Sequence, residues 1–255
     1  MTKLLFSLIL ISTSIASIFA EEKINHKALK ELWLFIGDSE TSGRAKGKKT
    51  KSQAITFGTI WESTYNKKPQ LKKYGVGGCS LLDSYKRYTK LSNKSSAVLI
   101  NLQESGNQDK KGQKTIEEFA NTFAEVIEKI SKESPNAQIT YETAYSFNRE
   151  SKKGRNWNPY NHAIREEVKK LNKKRIKIRL AETDNYIKKL VKKIGAKKVL
   201  TDDGGHFTST GNLMVALTIF KTLGISLDSL NLSGIPDSEI SQDEKKICLS
   251  IAKKE

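Results

Sequence analysis

Apolar positions fall in short continuous runs separated by stretches with helical spacing. The run Leu32-Trp33-Leu34-Phe35-Ile36 ends at Gly37 and predicts a first strand buried on both faces. Residues 97–102 form the clearest β run. Residues 71–76 (broken by Gly77-Gly78), 139–145, 175–180 and 197–200 are further strand segments. Helices are predicted over 52–65, 115–131, 161–171, 185–194 and 211–223, the last as the closing helix. The 115–131 segment is the strongest: Thr115 and Glu118 form a capping box, and Ile116, Phe119, Phe123, Ile127 and Ile130 recur at helical spacing. A lysine-rich loop at 46–51, a polar loop at 148–158 and a polar, partly helical tail at 225–255 complete the pattern. No internal repeat is present. Strands alternating with helices predict a three-layer α/β/α fold around a mainly parallel sheet.

At 255 residues the chain suits one core and one domain, covering 21–255 once an N-terminal segment is set aside. Residues 1–20 read as a secretory signal: Lys3, an apolar centre at 4–11, and a small-residue exit before Glu21-Glu22. Cleavage follows Ala20, with Ala16 as the alternative. The apolar stretch is too short for a stable membrane span, so the expectation is export to the periplasm or the extracellular space.

The formal charge of +17 is carried mainly by lysine, in pairs such as Lys169-Lys170, Lys188-Lys189 and Lys192-Lys193. No basic stripe interleaved with aromatics is present, which argues against nucleic acid. The excess reads either as a solvated lysine face or as attraction to acidic polymers such as anionic polysaccharide. Cys79 and Cys248 are the only cysteines; in an oxidising compartment they could pair, and their separation does not suit zinc. His26, His162 and His206 lack metal-ligand spacing, so no metal is expected.

Two motifs carry candidate chemistry. Gly37-Asp38-Ser39 closes the first apolar run, and Asp203-Gly204-Gly205-His206 lies far downstream. A serine hydroxyl needs a base within reach, itself oriented by a third group, and one Asp-x-x-His loop supplies both. Taken alone, Ser39 is as well read as a helix cap as a nucleophile.

The block Gly37-Asp38-Ser39-Glu40-Thr41-Ser42-Gly43-Arg44 resembles the nucleophile block of the SGNH (GDSL-type) hydrolases. Its Gly43-Arg44 ending is similar to the carbohydrate-esterase branch that includes sialate O-acetylesterase-like proteins and acetylxylan esterases. Asp203 to His206, followed by Phe207-Thr208-Ser209-Thr210-Gly211, resembles the family's final block and favours Asp203 over Asp202 as the orienting carboxylate. The resemblance implies a flavodoxin-like sandwich and a Ser39–His206–Asp203 triad working without a cofactor. Gly75-Val76-Gly77-Gly78-Cys79-Ser80 resembles the second block, which implies that the Ser39 and Gly78 amides hold the oxyanion. Gln103-Glu104-Ser105 and Gly106-Asn107 each resemble a form of the third block, so Gln103 and Asn107 are both candidate side-chain donors.

The function implied is an exported serine esterase acting on O-acyl groups, O-acetyl above all, of carbohydrate. The alternatives are a lipid or general carboxylester hydrolase and, in another class, a non-catalytic polyanion-binding protein on a degenerate hydrolase scaffold.

Overall fold

Residues Leu32–Gly37 form strand β1, with all six positions buried. The computed structural model describes residues 32–45, 48–49, 51–103, 115–146 and 156–254; the expected signal at 1–20, His26 and Asn107 lie outside them. After β1 come the single-turn helix α1 (Ser39–Ser42), a small hairpin of β2 (Arg44–Ala45) and β3 (Lys48–Lys49), and α2 (Gln53–Tyr65). The chain continues through β4 (Gln70–Gly75), α3 (Leu81–Thr89), β5 (Ala97–Gln103), α4 (Ile116–Glu133), β6 (Gln138–Glu142), α5 (Asn158–Lys173) and β7 (Ile178–Ala181). It ends in α6 (Thr183–Ile194), α7 (Ala196–Val199), α8 (Ser209–Thr222) and α9 (Gln242–Lys253).

The main sheet has the order β4-β1-β5-β6-β7, and every neighbouring pair is parallel. The chain therefore moves outward to one side of β1 and then returns to the other, making the carboxyl end of β1 a topological switch point.

Strand periodicity divides β1 between two cores. Trp33 and Phe35 face a layer of α2, α6, α8 and α9, while Leu32, Leu34 and Ile36 face α3, α4 and α5. Helix α8 is apolar on nearly every side, because the sheet, α2, α6 and α9 all cover it. Its Phe220 stacks on Phe57 at 4.1 Å, and Trp61 meets Trp33 edge-on at 4.3 Å.

The expected layering holds, and the sheet is wholly parallel. Residues 197–200 are not a strand: α7 occupies most of that segment, and Leu200 makes one isolated bridge to Phe207. Of these four residues only Val199 is buried, while Lys197 and Lys198 point to solvent, so the segment turns as a short helix and adds no strand to the sheet. The strand expected over 139–145 stops at Glu142. Helix α8 does not close the fold. The 225–255 segment contains α9, begun by a Ser241–Glu244 capping box, and buries Ile240, Cys248 and Ala252 against α8. Sequence reading also did not anticipate α3, which a Ser80–Asp83 capping box starts.

The aromatic stack between α2 and α8 yields a stability test. Phe220→Ala is expected to lower the unfolding free energy by about 3–5 kcal/mol, through lost transfer energy and a residual cavity. Urea denaturation measures it, and a loss below about 1 kcal/mol would show that this layer is not the principal core.

Candidate active site

Ser39 is the first residue of α1 and follows β1 after one linking residue, Asp38. Asp38 caps the helix by accepting from the Glu40 amide at 3.0 Å. The Val76 amide donates to the Gly37 carbonyl at 3.1 Å, tying the end of β4 to the same turn. The cap and this tie fix Ser39 at the switch point.

Residues 199–208 form a narrow loop. The Thr201 amide donates to the His206 carbonyl at 2.9 Å, and the Thr208 amide donates to the Val199 carbonyl at 2.9 Å. Within it, the Asp203 carboxylate lies 2.7 Å from His206 Nδ1 through Oδ2. Its Oδ1 accepts from Thr201 Oγ1 at 2.7 Å and from the Gly205 amide at 2.8 Å. Burial works to raise the Asp203 pKa, but the donors from Thr201, Gly205 and His206 outweigh it and hold the group at about 2.

An ionised carboxylate only accepts hydrogen bonds, so His206 Nδ1 donates to Asp203, and in the neutral ring this leaves Nε2 as the acceptor. Nε2 stands 2.9 Å from Ser39 Oγ. The loop and the nucleophile turn, 167 residues apart in sequence, thus build one chain of carboxylate, imidazole and hydroxyl. Asp202 is exposed and makes no contact with the imidazole among the described residues.

Residues Val76 to Cys79 form a tight turn closed by a bond from the Cys79 amide to the Val76 carbonyl. Gly78 has φ +76°, the left-handed value that the third position of such a turn requires. A methyl group on Gly77 would lie 3.7 Å from Ser39 Cβ, so this exposed turn borders the serine.

Gln103 ends β5 directly beside Gly37 in the sheet register. Its Oε1 accepts from Thr41 Oγ1 at 3.0 Å and from the Asp38 amide at 3.4 Å. These contacts brace the nucleophile turn; the oxyanion role expected of this residue concerns its other branch, Nε2. The neighbouring Glu104, Ser105 and Gly106 lie outside the described residues, as does Asn107.

The two cysteines are unpaired. Cys79 accepts from Arg87 at 2.8 Å beside α3, while Cys248 is buried against α8 on the opposite face of the sheet. Burial pushes the Cys248 thiol up to about 12. Among the described residues no cluster of His, Cys, Asp and Glu could hold a metal ion.

A buried polar network lies beneath the turn and was not anticipated. Glu142 adjoins Gln103 in the register, and its carboxyl accepts from Asn101 Nδ2, whose Oδ1 in turn accepts from Thr140 at 2.6 Å. Gln53 reaches both Thr41 and Glu142. Glu40, the residue after Ser39, is buried, and its Oε1 has no hydrogen-bond partner among the described residues. Burial pushes Glu142 up to about 8; bonds from Asn101 and Gln53 oppose this and the Asp38 charge adds to it. Burial, followed by the charges of Asp38, Glu142 and Asp203, puts Glu40 well above the carboxylate range. The signal available in the sequence was Asn101, a polar residue inside an apolar strand that must find a buried partner.

These shifts set a pH dependence. Below about pH 4.5 the Glu142 carboxyl is protonated in both folded and unfolded chains. Between there and about pH 8 the unfolded chain loses the proton while the folded chain keeps it, so stability falls as pH rises. Glu142→Gln should flatten that fall, by on the order of a few kcal/mol between about pH 5 and 8. Asp203 acts in the opposite sense and only below about pH 4. Urea unfolding across this range measures the difference, and parallel curves for both proteins would place the ionised form of Glu142 in the fold.

No family model matches the chain, and no curated protein matches it in sequence. Solved structures do match. A protein of Parabacteroides merdae described as a GDSL-like lipase superposes with a TM-score of 0.63 at 15% identity, over 77% of this chain and 97% of its own. The acetylxylan esterase Axe2 of Geobacillus stearothermophilus gives 0.62 at 17% identity, over 77% and 95%. A lipase/acylhydrolase of Enterococcus faecalis gives 0.60 at 15% identity, over 80% and 98%. With this strand order, the serine after β1 and these likenesses, the chain has the SGNH (GDSL-type) hydrolase fold.

Proposed function

We propose that the protein is a serine esterase that hydrolyses O-acyl esters through an acyl-enzyme. The observation that carries this reading is the continuous chain from Asp203 through His206 to Ser39 at the switch point of the sheet. Ser39 Oγ attacks the ester carbonyl carbon as His206 Nε2 takes its proton. Asp203 keeps the imidazole in the tautomer that makes this possible and stabilises the imidazolium that forms. The amides of Ser39 and Gly78, with the side-chain amide of Gln103 or Asn107, hold the oxyanion. The imidazolium returns its proton to the departing alcohol. Water, activated by the same nitrogen, then releases the acid and restores Ser39.

An O-acetyl carbohydrate is the substrate class we favour. The Gly43-Arg44 ending of the nucleophile block supports it, and so does the acetylxylan esterase among the structural neighbours. The lipase-type neighbours support the broader reading of a lipid or general carboxylester hydrolase. A signal-like N-terminus supports export. The spacing of the three groups counts against a degenerate scaffold, since a non-catalytic chain has no need to keep hydrogen-bonding distance across 167 residues.

Ser39→Ala should lower kcat on 4-nitrophenyl acetate by roughly three orders of magnitude or more while leaving thermal unfolding nearly unchanged. Retention of most activity would remove Ser39 from the mechanism.

Alanine at the true side-chain oxyanion donor should cost about 10²–10³ in kcat with little change in KM, since its bond strengthens only in the transition state. Gln103→Ala and Asn107→Ala, compared side by side, assign the role. Because Gln103 also braces the Asp38 amide, its variant needs a melting curve to separate donation from bracing. Two mild variants would leave the oxyanion to backbone amides alone.

A further inference from the structure

The lysines of this chain are not all alike. On α4 and α5 they stand beside acids: Lys129 pairs with Glu125, Lys169 with Glu166, Lys170 with Glu167, and Lys174 with Glu128. Those faces are charged but locally neutral. The groove between α6 and α9 is different. Lys189, Lys192 and Lys193 of α6 face Lys246 of α9 and Lys254 just beyond it, around a floor of Ile247 and Ile251. The groove has a volume of about 550 Å³, and no carboxylate of the described residues lines it. Lys192, Lys193, Lys246 and Lys254 make no ion pair with a carboxylate among the described residues.

Such an arrangement repels itself. Lys192 and Lys193 of α6 stand across the groove from Lys246 and Lys254, and like charges gathered there are unfavourable. Intervening acids would relieve this, as they do on α4 and α5. We infer that the α6–α9 groove is a binding site for a strand of anionic polysaccharide, bearing carboxylate or sulfate groups.

Charge complementarity fixes the sign of the ligand. The concave shape selects a linear chain that can lie within the groove over a flat bilayer surface, which would call for protruding apolar side chains. Ile247 and Ile251 are half-buried at the floor, where they suit the C–H faces of sugar rings. Lysine ammoniums act as point charges with no demand for bidentate geometry, so the site accepts carboxylate and sulfate alike. The inference concerns binding and is independent of whether Ser39 is catalytic.

Equilibrium binding of polygalacturonate and of heparin to the full chain tests it, with no step that requires ester hydrolysis. Lys192→Gln, Lys193→Gln and Lys246→Gln combined should weaken binding about tenfold or more at low salt, where these charges are least screened. A control triple, Lys129→Gln, Lys169→Gln and Lys170→Gln, removes the same formal charge from paired positions and should change affinity less than about twofold. Melting curves check that both variants fold. Equal losses in the two triples would assign the effect to net charge and overturn the site. Failure to bind either polymer, including the case in which the chain binds phosphatidylglycerol vesicles instead, would overturn it as well.

Discussion

The chemistry at the carboxyl end of the sheet depends on how tightly the turn after β1 can be pressed onto the strands beside it. Gly75, Gly37 and Gln103 share one row of the register, with β1 in the middle. A side chain at Gly37 would start 2.3 Å from the Gln103 carbonyl, and one at Gly75 would start 2.2 Å from the Ser42 amide. Neither contact is tolerable, so glycine at both positions lets α1 settle directly on the strand ends. That approach permits Gln103 to reach the Asp38 amide and brings Ser39 level with the loop that carries His206. A turn lifted by one methyl group would lengthen the 2.9 Å separation on which the proposed proton transfer depends.

The same packing explains what was legible in the sequence. A parallel sheet covered on both faces writes its central strands as unbroken apolar runs, and 32–36 and 97–102 announced themselves that way. Caps are equally local, so Thr115 marked α4 correctly. Ser39, Asp203 and His206 were legible because their motifs are short and bound to tight turns. Segments whose structure depends on distant partners were not. Residues 197–200 look extended, but Val199 packs into the layer that holds α8 and the segment closes into α7 instead. The 225–255 segment reads as polar because most of α9 faces solvent; its few apolar positions count only because α8 lies beneath them. The network under the serine joins residues from α1, α2, β5 and β6, which no spacing along the chain reveals.

That network carries a physical cost. Asn101, Gln53, Thr140 and Glu142 take polar groups out of water, a cost that their bonds to one another and to Thr41 offset, although Gln53 Oε1 has no hydrogen-bond partner among the described residues. Asn101 is satisfied at both ends of its amide, by Glu142 and Thr140, so its orientation is determined rather than averaged. Through the shared register, Glu142 lies against Gln103, and Gln103 lies against the nucleophile turn. The stiffness of the turn therefore derives from groups two strands away as well as from its own cap.

The carboxyl groups around the site also differ in a way that suits the proposed acyl transfer. Asp203 has three donors, from Thr201, Gly205 and His206, and is held as an anion. Glu142 and Glu40 are buried more deeply and have fewer donors, so burial pushes Glu142 up to about 8 and Glu40 well above the carboxylate range. Depth of burial, outweighed by donors at Asp203 alone, thus sets which group favours its charged form. Negative charge on Asp203 lies behind the imidazole, where in the proposed mechanism it stabilises the cation that forms when Ser39 gives up its proton. Negative charge on Glu40 or Glu142 would lie behind the serine and oppose the oxyanion growing on the substrate. Burial therefore favours the protonated form of both carboxyls, so that beneath the hydroxyl they add less negative charge to that of Asp38 than two ionised groups would.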